Sequence, residues 1–179
     1  SAQYQPYLTI AFFTGMRTSE LLGLTWSCID LDRAQLTITQ AWVEDELDST
    51  KTAESERTID LLSPVIAALT QQRKNTQEIE SEYVFAVANG LPFNRHNFAN
   101  RIWHPLLAKL EIKRRRPYQT RHTAATLWLA SGENPEWIAR QMGHTSTRML
   151  FTTYSRYVPN LTRKDGSAFE QLLSSQLKG

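Results

Sequence analysis

A single cysteine, Cys28, is all the thiol chemistry this chain carries. That excludes an internal disulfide and a zinc site built on several thiolates, and it suits a reducing cytoplasm. Long apolar runs are missing as well. No stretch approaches the roughly 20 residues that cross a bilayer, and the first residues lack the basic, apolar and small-residue zones of an export signal, so a chain that neither enters membranes nor leaves the cytoplasm is expected. There is no internal repeat and no low-complexity tract. Charge of one sign is scarce too: 20 Lys and Arg stand against 18 Asp and Glu, a net charge of +2. Composition therefore names no polyanionic partner, and any such partner would need basic residues gathered on one face. The four histidines, His96, His104, His122 and His144, show no metal-ligand spacing, so neither a metal nor a cofactor is expected.

What is present is a chain of 179 residues, 41% apolar, which suits one domain with a real core. It opens Ser1-Ala2-Gln3 without Met and runs at once into Tyr7, Leu8, Ile10, Ala11 and Phe12, as expected of a fragment cut at a domain boundary. Tyr4 to Thr14 predicts a buried helix stopped by Gly15, with Thr18 or Ser19 capping a short second helix through Leu24. Between Gln35 and Leu61, Leu36 and Ile38 alternate with threonine, Val43 follows, and Thr58-Ile59-Asp60-Leu61 closes a small antiparallel sheet whose polar connection, Asp45 to Glu56, carries Lys51. Ser63-Pro64 starts a helix to about Arg73, and Asn94 caps another to about Leu110. The run Lys113-Arg114-Arg115-Arg116-Pro117 then ends helical structure. Thr120 to Ser131 predicts a helix ended by Gly132, Asn134-Pro135 starts one through Met142, Gly143 stops it, and an amphipathic segment spans about Arg163 to Leu177.

Reactive side chains concentrate in three separated stretches: Thr14-Gly15-Met16-Arg17-Thr18-Ser19-Glu20-Leu21-Leu22, Thr50-Lys51-Thr52, and Tyr118 through Tyr154. The first resembles the arginine motif of tyrosine recombinases of the phage integrase type. Thr120-Arg121-His122-Thr123 resembles that family's second arginine motif, and Gln141-Met142-Gly143-His144 its glycine-histidine motif. Order and spacing agree from about Tyr7 to Pro159, and several motifs in one order are far harder to obtain by chance than one. The resemblance implies a mainly helical fold with a small three-stranded antiparallel sheet. It also implies site-specific DNA recombination and integration through a covalent 3′-phosphotyrosine, with residues 1–179 as a C-terminal catalytic domain whose N-terminal DNA-binding domain is absent here.

The chemistry explains the residue types. Attack on a phosphodiester passes through five-coordinate phosphorus, whose extra negative charge a guanidinium fork meets better than an ammonium does. A lone arginine is usually a solvated surface residue, but the motifs single out Arg17 and Arg121. Glu20, one turn from Arg17, either orients that guanidinium or serves the helix dipole. In the resembled family a hairpin lysine, here Lys51, is the general acid that protonates the departing 5′-oxygen. A tyrosine can attack phosphorus and leave again, conserving the bond energy without metal or ATP. Tyr154 and Tyr157 are both chemically able, and the likeness of Tyr154-Ser155-Arg156-Tyr157-Val158-Pro159 to the family's ending points to Tyr154. His144, after a glycine that ends a helix, is placed to donate a hydrogen bond to the phosphate and to handle the tyrosine proton. His122, which neighbours Arg121 but points elsewhere on a helix, is implied to be structural. Tyr118 stands where the family commonly has histidine, which implies a phosphate contact without an acid–base share.

The basic run Lys113 to Arg116 predicts binding to phosphate backbone with steep salt dependence and no sequence specificity. Residues 134–147 also resemble a helix-turn-helix, so a non-enzymatic DNA-binding module is the rival reading, although it leaves Arg17, Lys51 and Tyr154 without a role. The partners implied are double-stranded DNA at an attachment or core site and, on that DNA, three further copies in a homo-tetramer, the isolated fragment being monomeric.

Overall fold

The computed structural model describes residues 4–43, 46–49, 56–154 and 166–176. Lys51 and Tyr157 lie outside them. The fold is mainly helical around a small antiparallel sheet, in agreement with the sequence reading. Helix α1 (Gln5–Thr14) begins with Pro6 in its first turn, where a missing N–H costs nothing, and ends at Gly15 in the left-handed region. Helix α2 (Thr18–Leu22) follows after three residues. Its N-cap is Arg17 rather than Thr18 or Ser19, because the Glu20 carboxylate reaches back to the Arg17 N–H and performs the capping itself.

Strands β1 (Ile29–Asp30), β2 (Gln35–Ile38) and β5 (Arg57–Asp60) form a three-stranded sheet in the order β1-β2-β5. The register pairs Leu36 with Ile59 and Ile38 with Arg57. Period-two alternation thus puts Leu36, Ile38 and Ile59 into the core, each at most 2% exposed. The connection between β2 and β5 contains more structure than its polar sequence predicts. Strands β3 (Gln40–Val43) and β4 (Glu46–Ser49) pair as a separate ribbon, Trp42 opposite Leu47.

Helix α3 (Ser63–Asn75) packs along α1. Asn94 caps α4 (Arg95–Phe98) by accepting from the N–H groups of His96 and Asn97. The helix continues through a π turn (Ala99–Trp103) into α5 (His104–Lys109). Pro105 offers no N–H to the Arg101 carbonyl, and the widened turn just before it is where the ladder adjusts. Helices α6 (Gln119–Ser131), α7 (Pro135–Met142), α8 (Thr147–Tyr154) and α9 (Ser167–Gln176) follow among the described residues. Among the described residues no helix is long and apolar enough to cross a membrane.

Two cores result. The larger gathers α1, α2, α3 and the sheet, with Tyr7 edge-on to Phe85, Phe93 and Phe98 at centroid distances of 5.1, 4.9 and 4.9 Å. The smaller joins α6, α7 and α8 through Ala124, Ala125, Trp128, Ile138, Met142, Leu150 and Tyr154. Burying each large apolar side chain contributes about 1.5–3 kcal/mol. Gly15 joins the two halves: its φ is +62° and a Cβ there would lie 3.0 Å from the Trp128 ring, so α6 closes against the end of α1 only over a glycine.

Candidate active site

Arg17 is delivered by the turn at Gly15. Met16 plunges into the core, leaving Arg17 at the start of α2 with its guanidinium on the Glu20 carboxylate at 2.6 Å. Arg17 is 38% exposed and Glu20 only 3%, so the cation is anchored from beneath and open above.

Glu20 serves two arginines. From β5, Arg57 donates Nη1 and Nη2 to the two carboxylate oxygens, both at 3.0 Å, and Nε to the Gln141 carbonyl at 3.0 Å. This is the parallel fork that guanidinium and carboxylate favour. Burial pushes the Glu20 carboxyl up, but the hydrogen bonds and charge of Arg57, joined by Arg17, outweigh it and hold the group below the usual carboxylate range. At its other end β5 grips the same helix: Asp60 accepts from Trp137 Nε1 at 2.9 Å and from Gln141 Nε2 at 3.2 Å. The sheet thereby fixes α7, and with it the turn that follows. In that turn Gly143 has φ +64°, and a Cβ would lie 2.8 Å from Arg57 Nη1.

Arg121, on α6, is 1% exposed. It donates Nη1 to the Gly15 carbonyl and Nη2 to the Met142 carbonyl. Those carbonyls lie at the C-terminal ends of α1 and α7, where unsatisfied oxygens and the negative ends of the helix dipoles favour a cation. Burial and the nearby Arg17 lower its pKa, yet a guanidinium stays charged. One side chain therefore ties the turn before Arg17 to the turn before His144.

His144 follows Gly143 directly, its backbone N–H on the Ala139 carbonyl at 2.9 Å. Burial, followed by the charges of Arg121, Arg17 and Arg57, pushes the imidazole down to about 4. Its Nδ1 is buried without a hydrogen-bond partner among the described residues.

Tyr154 ends α8 and is 6% exposed. Its hydroxyl is 2.8 Å from Nδ1 of His122. Burial pushes the phenol up and Tyr118 adds to that, while the Arg121 charge pulls it down. Tyr118 is half exposed before α6, its ring edge-on to His122 at 5.2 Å. The side chains of Lys113 to Arg116 are exposed, and Trp103 Nε1 pins their backbone through the Arg115 carbonyl at 2.7 Å.

Hydrogen bonds thus hold Arg17, Arg121 and His144 close enough for their charges to act on one another, and the Arg121 charge also reaches Tyr154. Lys51 and its motif fall outside the described residues. Two residues at this site escaped the sequence reading. Arg57 lies one residue before the stretch read as the closing strand, although alternation with Ile59 signals an inward charge. His122 does point away from Arg121 along α6, but α8 brings Tyr154 onto it.

The profile of the phage integrase family matches residues 1–160. Prophage integrase IntR of Escherichia coli (strain K12) is 29% identical over 89% of this chain. The chain spans about half the length of the curated relatives it matches, 44% in that case. Among solved structures, the Tn1549 transposon integrase in complex with circular intermediate DNA superimposes with a TM-score of 0.76 at 22% identity, over 96% of this chain and 59% of its own. A lambda integrase tetramer bound to a Holliday junction gives 0.59 at 16%, over 92% and 44%. Motif order, fold and a match over most of the length agree, and the chain belongs to the phage integrase family.

Proposed function

We propose that this chain is the catalytic domain of a longer site-specific recombinase, which cuts and rejoins double-stranded DNA at an attachment or core site through a phosphotyrosine on Tyr154. The observation that carries the reading is Arg121: a fully buried cation that bridges the turns presenting Arg17 and His144, beside the helix that ends in Tyr154. A cation so deeply buried is costly unless it is paired, and fixing it between two helix ends places a rigid positive field where phosphate charge develops. In this reading Arg17 and Arg121 hold the non-bridging oxygens. His144, neutral before DNA arrives, donates to the same phosphate, and Tyr118 adds a hydroxyl contact. Lys51 protonates the 5′-oxygen as it leaves. Lys113 to Arg116 bind the neighbouring backbone. A DNA-binding domain outside residues 1–179 completes the grip, and four protomers act together on two duplexes. The integrase neighbour in complex with DNA supports the DNA contact, and the lambda integrase tetramer bound to a Holliday junction supports the four-protomer assembly. A helix-turn-helix module remains the less favoured reading, because it has no use for the Glu20, Arg57 and Arg121 network.

The test is a nicked suicide duplex carrying the core site, incubated with the full-length protein. A denaturation-resistant protein–DNA adduct that disappears in Tyr154→Phe supports the reading. An adduct that persists in Tyr154→Phe transfers the role to another residue, Tyr157 first. No adduct at all favours the DNA-binding module.

A further inference from the structure

The tyrosine chemistry needs a base. A phenol ordinarily loses its proton near pH 10, and burial moves Tyr154 further from ionising at neutral pH. The group in contact with its hydroxyl is His122, with Nδ1 at 2.8 Å and ring centroids 5.6 Å apart. We propose that His122 is a catalytic residue, the general base that takes the Tyr154 proton during cleavage and returns it during rejoining. The inference rests on Tyr154 being the nucleophile.

The geometry suits the role from both sides. His122 projects from α6 and Tyr154 from the last turn of α8, so the pair is held by two packed helices rather than by a loop. Tyr118, edge-on at 5.2 Å and 78°, flanks the imidazole. For Nδ1 to accept, the ring proton must occupy Nε2. The groups acting on the pair are Arg121 and Tyr118. Burial, followed by the Arg121 charge, lowers the pKa of His122, which keeps the ring uncharged and able to accept at neutral pH. His144, the other imidazole of the site, is pushed down to about 4 by burial and by the charges of Arg121, Arg17 and Arg57.

In the forward step the Tyr154 O–H bond breaks and its proton joins Nδ1. The freed oxygen lone pair forms the bond to phosphorus, and the P–O5′ bond breaks with its electron pair staying on the 5′-oxygen, protonated by the Lys51 ammonium. In rejoining, the Lys51 amine takes the proton of the attacking 5′-hydroxyl, the P–O5′ bond forms as the bond from phosphorus to the Tyr154 oxygen breaks, and the His122 imidazolium returns its proton to the departing phenolate.

The experiment is single-turnover adduct formation by the full-length protein on the nicked core duplex, from pH 5.5 to 9. His122→Asn keeps an acceptor close to Nδ1 but cannot take a proton. Its expected behaviour is unchanged DNA affinity, an adduct rate lower by about 10²–10⁴-fold, and a rate that keeps rising with pH where the parent has levelled off. Replacing Tyr154 by a fluorotyrosine of lower pKa should restore much of the loss in His122→Asn, since that phenol ionises without help. A purely structural role would lower the rate without altering the pH profile and without fluorotyrosine rescue. That result, a parental rate, or a faster rate marking His122 as a restraint on the tyrosine would overturn the inference. Should His122→Asn fail to fold, the fluorotyrosine protein with His122 intact decides: its pH plateau stays on the His122 titration if His122 is the base and moves with the phenol if it is not. Tyr154→Phe in the same assay separates the two readings, because an adduct that survives it removes the nucleophile assignment, whereas an adduct that vanishes while His122→Asn behaves as parent removes only the base.

Discussion

Removing the Glu20 carboxylate should be among the most damaging single changes in the chain. Glu20 is 3% exposed and accepts from the Arg17 N–H, the Arg17 guanidinium and both terminal nitrogens of Arg57. Arg17 is open to water, so its share of the pairing is screened and contributes little. Arg57 is 8% exposed, and Glu20→Ala removes the carboxylate that both its terminal nitrogens hold. Breaking a buried pair from one side costs about 3–5 kcal/mol. The loss should appear in urea unfolding as a lower midpoint with an unchanged slope. Removing both partners, as in Glu20→Ala with Arg57→Met, should recover part of that loss, because the buried guanidinium that has lost its carboxylate is removed with it. The pH dependence has a definite sign. Glu20 is held below its ordinary value, so its contribution is complete above about pH 4.3 and is lost as pH falls through the lower folded-state value. Glu20→Gln, which keeps the shape and discards the charge, should flatten this part of the acid limb. A Glu20→Ala protein within about 0.5 kcal/mol of the parent, the range of neutral surface changes, would refute the argument that the fork is buried and paired.

Gly143→Ala should destabilise by at least about 1–2 kcal/mol for the left-handed backbone and also displace Arg57, 2.8 Å from the new Cβ, so urea midpoint and adduct rate should fall together. The His144 imidazole, held near about 4, should show no titration by NMR around neutral pH in the DNA-free protein. An unfolded histidine protonates near pH 6.5, so His144 contributes stability in full above that pH and loses it as pH falls toward its folded value. His144→Gln should remove that loss. Neutralising Lys113, Arg114, Arg115 and Arg116 together should reduce the slope of log affinity against log salt by roughly 0.9 for each phosphate contact removed, measured by DNA titration at several salt concentrations, while the midpoint of unfolding stays put because these side chains are exposed.

The parts of this site were legible in the sequence to the extent that local chemistry announces itself. Gly15, Gly132 and Gly143 stop their helices at φ of 62, 82 and 64°, as a glycine after a periodic run predicts. Alternation around Leu36, Ile38 and Ile59 identified two sheet strands. Strand β4 was hidden because Glu46-Leu47-Asp48-Ser49 holds one apolar residue, and its order comes from pairing with β3 rather than from a pattern of its own. The contacts that assemble the site lie beyond any local rule: Arg57 meets Glu20 across 37 residues and Gln141 across 84, and Arg121 reaches Gly15 across 106. His122 shows the same limit in miniature, since the rule that adjacent helical residues diverge held for Arg121 and His122, yet Tyr154 arrives from 32 residues further on. Those long links have a common physical form, a guanidinium or imidazole received by a helix end, a buried carboxylate or a phenol. The same bonds that close the fold therefore aim the site, so substitutions at Glu20, Arg57 and Gly143 should lower stability and alter the position of Arg17 and His144 together, whereas exposed Tyr118 can be changed with little cost to the fold.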